Sequence, residues 1–525
     1  MHIPRPHRLG SFAVAAVLLA ATFVAAAPAD AHPGRALGSE SALSAKQRAV
    51  LYGIAKDTWK FFQSDVDPNT HLPLDNLGPG QARGSYTSAA NIGVYLWSVV
   101  SAKDLKLISR RQAVTMIKAT LQEVRTLKRS YGFLYQWYDT GNGHVIKNPG
   151  DVDCSTETTP AQDNCYFLSA VDNGWYASGL MVTRQALPEL RGLVNRLMAP
   201  MDFSIFYDNR PQTNCNTNPA IPGNQPTGQQ YGGYYVDQGP APYHNGALYS
   251  DPRISIYIGM GLHQMPGDVW WRTWRTLPPK RCATDPDFSW QGQAPGGYWK
   301  TYRDPQSGKK FPVWEGKYTY PGTSLDFIPT FGGGMFEGLM ANEVVPETQW
   351  GKKSFGLADR RTAQVQIKYA TEQLHYPVWG LSPSSTADDT GGYATYGVEG
   401  LTLPKGHQLS QCVTCASETT VTPHASFLAL SVLPQQAYRN IVKLRRLYPD
   451  SYTRNGGFYD AVNPTTGAVG HRRLVLDQSM IMAALDNALN HNALQRYFGR
   501  DPAAWAAHTY LSIETMAIAQ PRRRS

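Results

Sequence analysis

Aromatic and carboxylate side chains in long loops are the residues of this sequence whose types best fit a defined chemistry. Four stretches interrupt the helical periodicity, at residues 139–166, 208–245, 278–327 and 382–418. Their aromatic residues include Tyr231, Tyr234, Tyr235, Trp290, Tyr298, Trp299, Trp314 and Tyr393. Aromatic faces bury the apolar faces of sugar rings, while carboxylates and amides bind the hydroxyl groups. The loops therefore indicate a carbohydrate site, although about half of these aromatics are expected only to pack the loops onto the body.

Glu337 is the one acidic residue in an otherwise apolar and glycine-rich segment, GGGMFEG. A charge in such surroundings is usually paired or functional, because an isolated buried charge is costly. The glycines are not followed by Lys-Ser/Thr, so a phosphate-binding loop is not indicated. The sequence also contains no G-x-S-x-G elbow and no H-E-x-x-H site. We expect neither a cofactor nor a metal, and we favour substrate binding for Glu337.

The N-terminus has the three parts of a secretory signal peptide. Arg5 and Arg8 form a basic region, residues 11–27 carry no charge, and Ala29-Asp30-Ala31 is a small-x-small cleavage motif. The apolar run is shorter than the ~20 residues that span a bilayer, which favours cleavage over a membrane anchor. We expect a signal peptide (1–31), a linker (32–45), one large domain (46–517) and a basic tail (518–525).

The six cysteines agree with export, because all of them follow the signal peptide in polar loops. They are Cys154, Cys165, Cys215, Cys282, Cys412 and Cys415. Six cysteines allow 15 disulfide pairings. Proximity in sequence favours Cys154–Cys165 and Cys412–Cys415, which leaves Cys215–Cys282. A zinc site at Cys412-x-x-Cys415 is less well supported, since no second ligand pair stands at a suitable spacing.

The charge distribution argues against nucleic acid as a binding partner. The formal net charge of +9 is spread thinly, with no basic helix face, so nucleic-acid binding is not indicated. We expect a secreted monomer that is not inserted in a membrane after signal cleavage and whose partner is a polysaccharide or oligosaccharide.

Helical periodicity recurs through the rest of the chain, with little that is typical of strands. The predicted helices are 43–62, 88–105, 109–127, 172–187, 190–206, 254–263, 268–276, 335–342, 361–374, 425–432, 434–447, 477–489 and 502–516. No charged or Ser/Gly-rich linker divides them. About a dozen helices predict one all-α domain built from helical hairpins.

Nine segments, taken together and in order, resemble the bacterial glycoamylase-like family, whose characterised members include endo-β-1,2-glucanases and the hydrolytic domain of cyclic glucan synthases. They are residues 87–105, 132–140, 169–187, 249–266, 329–340, 385–397, 422–441, 456–463 and 476–485. The resemblance implies an (α/α)6 toroid, with six outer and six inner helices around a cleft. It also implies hydrolysis of glycosidic bonds with inversion and without metal.

An inverting glycosidase needs a protonated carboxyl group and an ionised carboxylate on opposite sides of the scissile bond. The resemblance places Asp251, in Tyr249-Ser250-Asp251, where relatives carry a general acid that is usually Glu. It places Asp389 at the candidate base, with Asp388 as the second choice. The alternatives stay open, because Asp before Pro is an ordinary helix N-cap and an Asp pair in a Ser/Thr/Gly-rich loop is an ordinary turn.

Further residues are expected to bind substrate. Asp139 and Asp172 match acidic family positions that line the cleft, although Asp172 could instead cap its helix. The other substrate-binding candidates are Trp175, Tyr243, Arg253, Glu337, Asp388 and Tyr393. His424 and Asp477 are weaker, since a lone histidine is more often structural and Asp477 begins a predicted helix.

Two other functions remain open from the sequence. A non-catalytic carbohydrate-binding protein on the same scaffold is one, because position 251 carries Asp where relatives carry Glu. A polysaccharide lyase is the other, because helical toroids also host β-elimination of uronates. The absence of an obvious Arg/Tyr/His cluster argues against a lyase.

Overall fold

Two kinds of helix alternate along the chain, and they differ in how much of their surface is buried. The computed structural model describes residues 42–149, 153–156, 164–211, 227–245, 247–276, 295–330, 333–398 and 420–520. The α-helices are α1 (Ala45–Ser64), α2 (Ala89–Asp104), α3 (Arg110–Val124), α4 (Ala170–Ala186), α5 (Arg191–Met198), α6 (Arg253–Gly261), α7 (Asp268–Arg272), α8 (Met335–Leu339), α9 (Glu347–Trp350), α10 (Phe355–Lys368), α11 (Pro423–Leu428), α12 (Pro434–Leu447), α13 (Val475–Leu489), α14 (Ala493–Gly499) and α15 (Trp505–Ile513).

Every helix predicted from periodicity has a counterpart, but several boundaries differ. The helix expected at 190–206 ends at Met198, and the one expected at 361–374 begins earlier, at Phe355. Two helices were missed, Glu347–Trp350 and Ala493–Gly499. Both are too short for a 3.6-residue periodicity to repeat more than once or twice.

Six helices form an inner layer: α2, α4, α6, α8, α11 and α13. Every residue of α6, α8 and α11 is buried, and α2, α4 and α13 are buried on nearly all sides. The helices α1, α3 and α12 instead bury one face each. A helix that is buried all round lies inside a protein, whereas an amphipathic helix covers its surface.

The inner helices close a ring. Packing joins α2 to α4, α4 to α6, α8 to α11, α11 to α13, and α13 back to α2. Between α6 and α8, the Arg253 side chain donates to the main-chain carbonyls of Glu337 and Gly338. This ring of helices, enclosed by amphipathic ones, fits the α/α toroid expected from the sequence.

The alternation of inner and outer helices also fixes the direction in which the inner helices run. Where an outer helix separates two inner ones, as α3, α5, α10 and α12 do, it returns the chain to the end at which the next inner helix begins. Inner helices therefore run the same way, and their N-terminal ends gather on one face of the ring.

The connections contain antiparallel strands that the sequence analysis did not predict, although the helix-rich fold agrees with the expected all-α class. The strands are β1 (Asn76–Leu77), β2 (Arg83–Gly84), β3 (Tyr86–Ser88), β4 (Arg129–Ser130), β5 (Phe133–Leu134), β6 (Trp137–Asp139), β7 (Phe167–Ser169), β8 (Gly233–Tyr235), β9 (Gly239–Pro240), β10 (Gly296–Arg303), β11 (Lys310–Thr319), β12 (Asp326–Phe327), β13 (Ser384–Ser385), β14 (Tyr393–Ala394), β15 (Tyr452–Thr453), β16 (Gly457–Phe458), β17 (Ala461–Val462), β18 (Val469–Gly470) and β19 (Arg473–Leu474). Most are two or three residues long, which is below what an alternating pattern reveals.

The long hairpin β10–β11 places Trp299 opposite Trp314. Among the described residues, three sheets have three strands, in the orders β19-β1-β2, β7-β8-β9 and β10-β11-β12. The sheet β19-β1-β2 joins segments from opposite ends of the described chain, so it helps to close the ring.

One of the expected disulfides is present, between Cys154 and Cys165. The other four cysteines lie outside the described residues. Within those residues, no helix is long and apolar enough to cross a membrane. The described residues form one compact unit.

The close packing of α4 on α2 depends on glycine. A Cβ atom on Gly179 of α4 would overlap the main chain of Gly93 in α2, and one on Gly93 would overlap the main chain of Trp175 and Tyr176. By contrast, a Cβ atom on Gly53 of the outer helix α1 would meet nothing within 4 Å.

We predict opposite effects for two Gly→Ala substitutions. G179A should lower the free energy of unfolding by about 1–3 kcal/mol or more, because backbone atoms cannot move aside as a flexible side chain can. G53A should raise it by about 0.5–1 kcal/mol, because alanine is the better helix former and has room. Denaturant unfolding of both variants checks this. Equal effects of the two substitutions would contradict the close packing of α2 on α4.

Candidate active site

Carboxyl groups from four segments gather at the N-terminal ends of the inner helices. Asp172 lies in the first turn of α4, Asp251 directly precedes Pro252 and α6, Glu337 lies in the first turn of α8, and Asp477 lies in the first turn of α13. The N-terminal end of a helix favours negative charge. The parallel inner ring therefore assembles an acidic face.

Asp251 and Glu337 form a hydrogen-bonded carboxyl pair. Their side chains bond to each other, and Glu337 also accepts a bond from the main-chain N–H of Asp251. The Ser250 hydroxyl donates to Glu337 Oε2 at 2.5 Å. Asp251 makes no cap bond to α6, so the alternative that it is only a helix cap is not realised.

The pair holds a proton more strongly than isolated carboxyl groups do. Burial raises the pKa of Glu337 well above its usual value, and the neighbouring Asp251 raises it further. Burial also raises the pKa of Asp251, to about 6. Two adjacent carboxyl groups cannot both ionise easily, so the pair shares a proton at a pH at which isolated carboxyl groups are ionised.

Two other residues adjust the proton affinity of Asp251 in opposite directions. The side chain of Trp175 donates a hydrogen bond to the Asp251 carboxylate, which lowers the pKa of Asp251, while the negative charge of Asp172 raises it. Asp172 does not cap its helix, because Ser169 takes that role and accepts from the Asp172 N–H. Burial raises the pKa of Asp172 as well.

Arg253 was predicted to bind substrate, but the structure buries its side chain completely. It forms a buried ion pair with Glu347, with 2.8 Å between Nε and Oε1. Its other donors bond main-chain carbonyls beneath the acid pair. Arg253 therefore supports the site from below and does not line it.

Tyr393 stands over the acidic face. Its side chain is 54% exposed. Surrounding protein nevertheless raises the pKa of its hydroxyl well above the usual value, and the charges of Asp477, Glu337, Asp75 and Asp251 add to that shift. A side chain that is exposed but surrounded in this way lies inside a concave cleft. Tyr393 therefore marks the space between carboxyl groups from several inner helices.

Asp389 and Asp388 lie on the exposed part of the loop that carries Tyr393. Asp389 accepts from the main-chain N–H of His471 at 2.8 Å, and this bond lowers the pKa of Asp389. Asp388 accepts from the N–H and hydroxyl of Thr390, which likewise lowers its pKa. Both carboxylates therefore stay ionised near neutral pH, and Asp388 also stabilises its own turn.

Asp139 and Tyr243, both predicted to bind substrate, differ in their relation to the acidic face. Asp139 accepts from the N–H groups of Gly141 and Asn142, so it fixes the turn that follows β6. Tyr243 is 44% exposed and close enough to Asp172 for that charge to help raise the pKa of its hydroxyl. Of the two, Tyr243 is connected with the acidic face.

Asp75 was missed by the sequence analysis. It adjoins β1, where the side-chain amides of Asn91 and Asn76 donate to its carboxylate at 2.8 and 2.9 Å. Burial raises its pKa. The signal that singled out Glu337, a lone acid among apolar and glycine residues, also occurs at Asp75 in HLPLDNLGPG.

His424 and Asp477 form a buried pair, with 3.1 Å between Nδ1 and Oδ2. The contact joins the first turn of α11 to the first turn of α13.

The chemistry open to this face is proton transfer to an oxygen atom by a carboxyl group. Asp251 and Glu337 are in hydrogen-bond contact, whereas the two carboxyl groups of an inverting glycosidase stand about 6.5–9.5 Å apart. The pair can hold a proton as one unit, but it does not have the spacing of an inverting acid and base. In the described part of the chain, no cluster of three or more potential ligands could hold a metal ion.

Comparison with protein families supports the resemblance. Residues 326–502 match the sequence model of a family described as "Putative glucoamylase", and residues 53–212 match that of a "Protein of unknown function (DUF3131)". The cyclic β-(1,2)-glucan synthase NdvB of Rhizobium meliloti (strain 1021) is 32% identical over 122 residues, which are 22% of this chain and 4% of that protein. The likeness to the glycoamylase-like family is confirmed.

Solved structures share the fold. A structure described as a "putative glucoamylase" from Bacteroides caccae ATCC 43185 has a TM-score of 0.61 at 17% identity, covering 89% of this chain and 98% of that one. An endo-β-1,2-glucanase from Chitinophaga pinensis, solved with sophorotriose and glucose, gives 0.59 at 15% identity, covering 90% and 98%. One from Talaromyces funiculosus, solved with sophorose, gives 0.56 at 11% identity, covering 89% and 88%.

The causes of the Asp251 shift predict two substitutions with opposite signs. D172N should lower the pKa of Asp251 below about 6, because a like charge is removed, and W175F should raise it, because a hydrogen bond to the ionised form is lost. Carboxyl infrared spectra recorded against pH, with the D251N spectrum subtracted, measure this pKa. Shifts in the same direction would show that the causes are assigned incorrectly.

Proposed function

We propose that this protein is a glycoside hydrolase that cuts within a neutral glucan, and that β-1,2-linked glucan is the first substrate to test. The proton-sharing pair of Asp251 and Glu337 on the acidic face carries the proposal. It is supported by the fold shared with proteins described as glucoamylases and endo-β-1,2-glucanases.

In the proposed reaction, Asp251 gives its proton to the leaving oxygen of the glycosidic bond. A general acid needs a raised pKa, and burial together with Asp172 supplies one. Glu337 can pass its own proton to Asp251 through their hydrogen bond and is then ionised in its place. The proton that the base takes from the attacking water balances the one lost to the leaving group and returns to the pair through solvent. Aspartate is one methylene shorter than glutamate, so the sugar must approach Asp251 closely.

The base we propose is Asp389, with Asp388 as the second choice. A base must be ionised and supported by polar groups, and the bond from His471 keeps Asp389 in that form. Its side chain is 49% exposed, so water reaches it. Attack by that water from the face opposite Asp251 would invert the anomeric centre.

The charge of the cleft favours a neutral substrate over a uronate. Asp75, Asp172, Asp251, Glu337 and Asp477 all contribute carboxyl groups to the same face, and a polyuronate would add further negative charge there. This repulsion argues against the lyase that the sequence left open. Tyr393 and Tyr243 offer exposed aromatic rings for sugar faces.

Enzyme activity is tested by reducing-sugar release from β-1,2-glucan, other purified glucans and arabinans. We expect one glucan to be cleaved, with a rate that falls as pH rises above about 6 because Asp251 loses its proton. D251N and D389N should each reduce kcat by about a hundredfold or more, since both proton transfers are needed. D450N, at an exposed aspartate outside the site, is the matched control and should keep full activity.

Three outcomes would contradict parts of this proposal. Saturable glycan binding without any product would show a carbohydrate-binding protein on the same scaffold. Full activity in both D251N and D389N would remove the two residues from the mechanism. Products whose first-formed anomer has the substrate's configuration, measured by NMR, would show retention instead of inversion.

We also propose that the protein is exported. The basic region, uncharged run and Ala29-Asp30-Ala31 motif support cleavage after Ala31. N-terminal sequencing of the protein recovered from culture medium should begin at His32. Recovery of the intact N-terminus from the membrane fraction would instead show an uncleaved anchor.

A further inference from the structure

We infer that Arg253 is a positioning residue whose single guanidinium clamps the main chain of the two segments that carry Asp251 and Glu337, and so sets the contact between their carboxyl groups. The effect on the chemistry rests on the proposed function, whereas the effect on the carboxyl pair does not.

The donors of Arg253 reach both segments. Nη1 donates to the carbonyl of Ser250 at 2.9 Å and to that of Glu337 at 3.3 Å. Nη2 donates to the carbonyl of Gly338 at 2.5 Å. Ser250 directly precedes Asp251, so one rigid group holds the main chain next to each acid.

A carboxylate below fixes the guanidinium itself. Nε and Nη2 donate to the two oxygens of Glu347 at 2.8 and 2.9 Å, and Tyr257 donates to Glu347 at 2.7 Å. Asp359 lies 3.9 Å from Nη2. The planar fork of arginine makes all these bonds at once, which the single amine of lysine cannot do.

The clamped segments then meet directly. The Ser250 hydroxyl and the Asp251 N–H both donate to Glu337, and the two carboxyl groups bond to each other. Each of these bonds needs the main chain of residues 250–251 to stay beside that of residues 337–338. Arg253 is the side chain that bridges these two pieces of main chain from below.

The groups that face Asp251 come from several elements. Asp172 faces it from α4, Glu337 from α8 and Arg253 from α6, while Tyr393 faces it from the loop above. Of these, Glu337 lowers the pKa of Asp251 through its hydrogen bond. If the clamp loosens, this bond weakens, and the pKa of Asp251 rises.

R253K tests the inference, because lysine keeps the charge but loses the fork. The chain provides a matched control in Arg275, which also has no exposed surface and pairs with Glu514 at 2.7 Å. Arg275 donates to the carbonyls of Trp270 and Thr273, not to the segments of the acid pair. Both substitutions remove a fully buried, bidentate-capable arginine, so both should lower the melting temperature.

Only R253K should change the acid pair. Carboxyl infrared titration of the purified protein, which needs no substrate, should show the pKa of Asp251 raised in R253K and unchanged in R275K. With an accepted glucan, kcat of R253K should fall by about tenfold to a hundredfold, with little change in KM. The R275K protein should keep the kcat of the wild type.

Equal titration curves for R253K, R275K and the wild type would overturn the inference, whatever the activity. Failure of every glycan to react would remove the proposed function but leave the titration result in force. If R253K does not fold, E347Q and its control E514Q replace the pair, because E347Q loosens the guanidinium without removing it. An unchanged Asp251 pKa in E347Q would also count against the clamp.

Discussion

The parallel course of the inner helices is the constraint from which the acidic face follows. Their N-terminal ends point to one side, so residues in the first turns of α4, α8 and α13 and just before α6 become neighbours although they are far apart in sequence. Helix ends favour carboxylates, but burial and mutual repulsion oppose them. The fold resolves this conflict by letting Asp251 and Glu337 share a proton and by giving Asp75 two amide donors.

Two buried arginines complement the buried carboxyl groups. Arg253 and Arg275 are both completely buried, and each pairs with a carboxylate while bonding main-chain carbonyls. A buried ion pair is weak support for stability in itself, since the cost of removing both charges from water is large. Such a group instead fixes the local geometry, because all of its donors form hydrogen bonds in only one arrangement of the surrounding chain. At Arg253 that arrangement is the one in which the acid pair forms.

Helix positions could be predicted from the sequence more completely than the site. Periodicity located the long helices because each repeats its pattern several times, whereas the sugar site inferred from the loop aromatics stays a prediction. The pairing of Asp251 with Glu337 could not be predicted, since no local pattern links two segments that only the ring brings together. Arg253 was misplaced because arginine is usually exposed. Asp388 and Asp389 lie in a loop whose turn chemistry was foreseen, and their part in catalysis stays a prediction.

The closure of the ring determines the stage of folding at which the acidic face can form. Helix α13 packs against both α1 and α2, and Arg48 in α1 donates to the carbonyls of Ala488 and Leu489 at the end of α13. The loop that carries Tyr393 is tied to the same late segment, since His471 and Arg472 bond Asp389 and Gly391. A growing chain therefore lacks one wall of the cleft until almost its last helices are made. The acidic face therefore forms late in folding, when α13 packs against α1 and α2 and closes the ring.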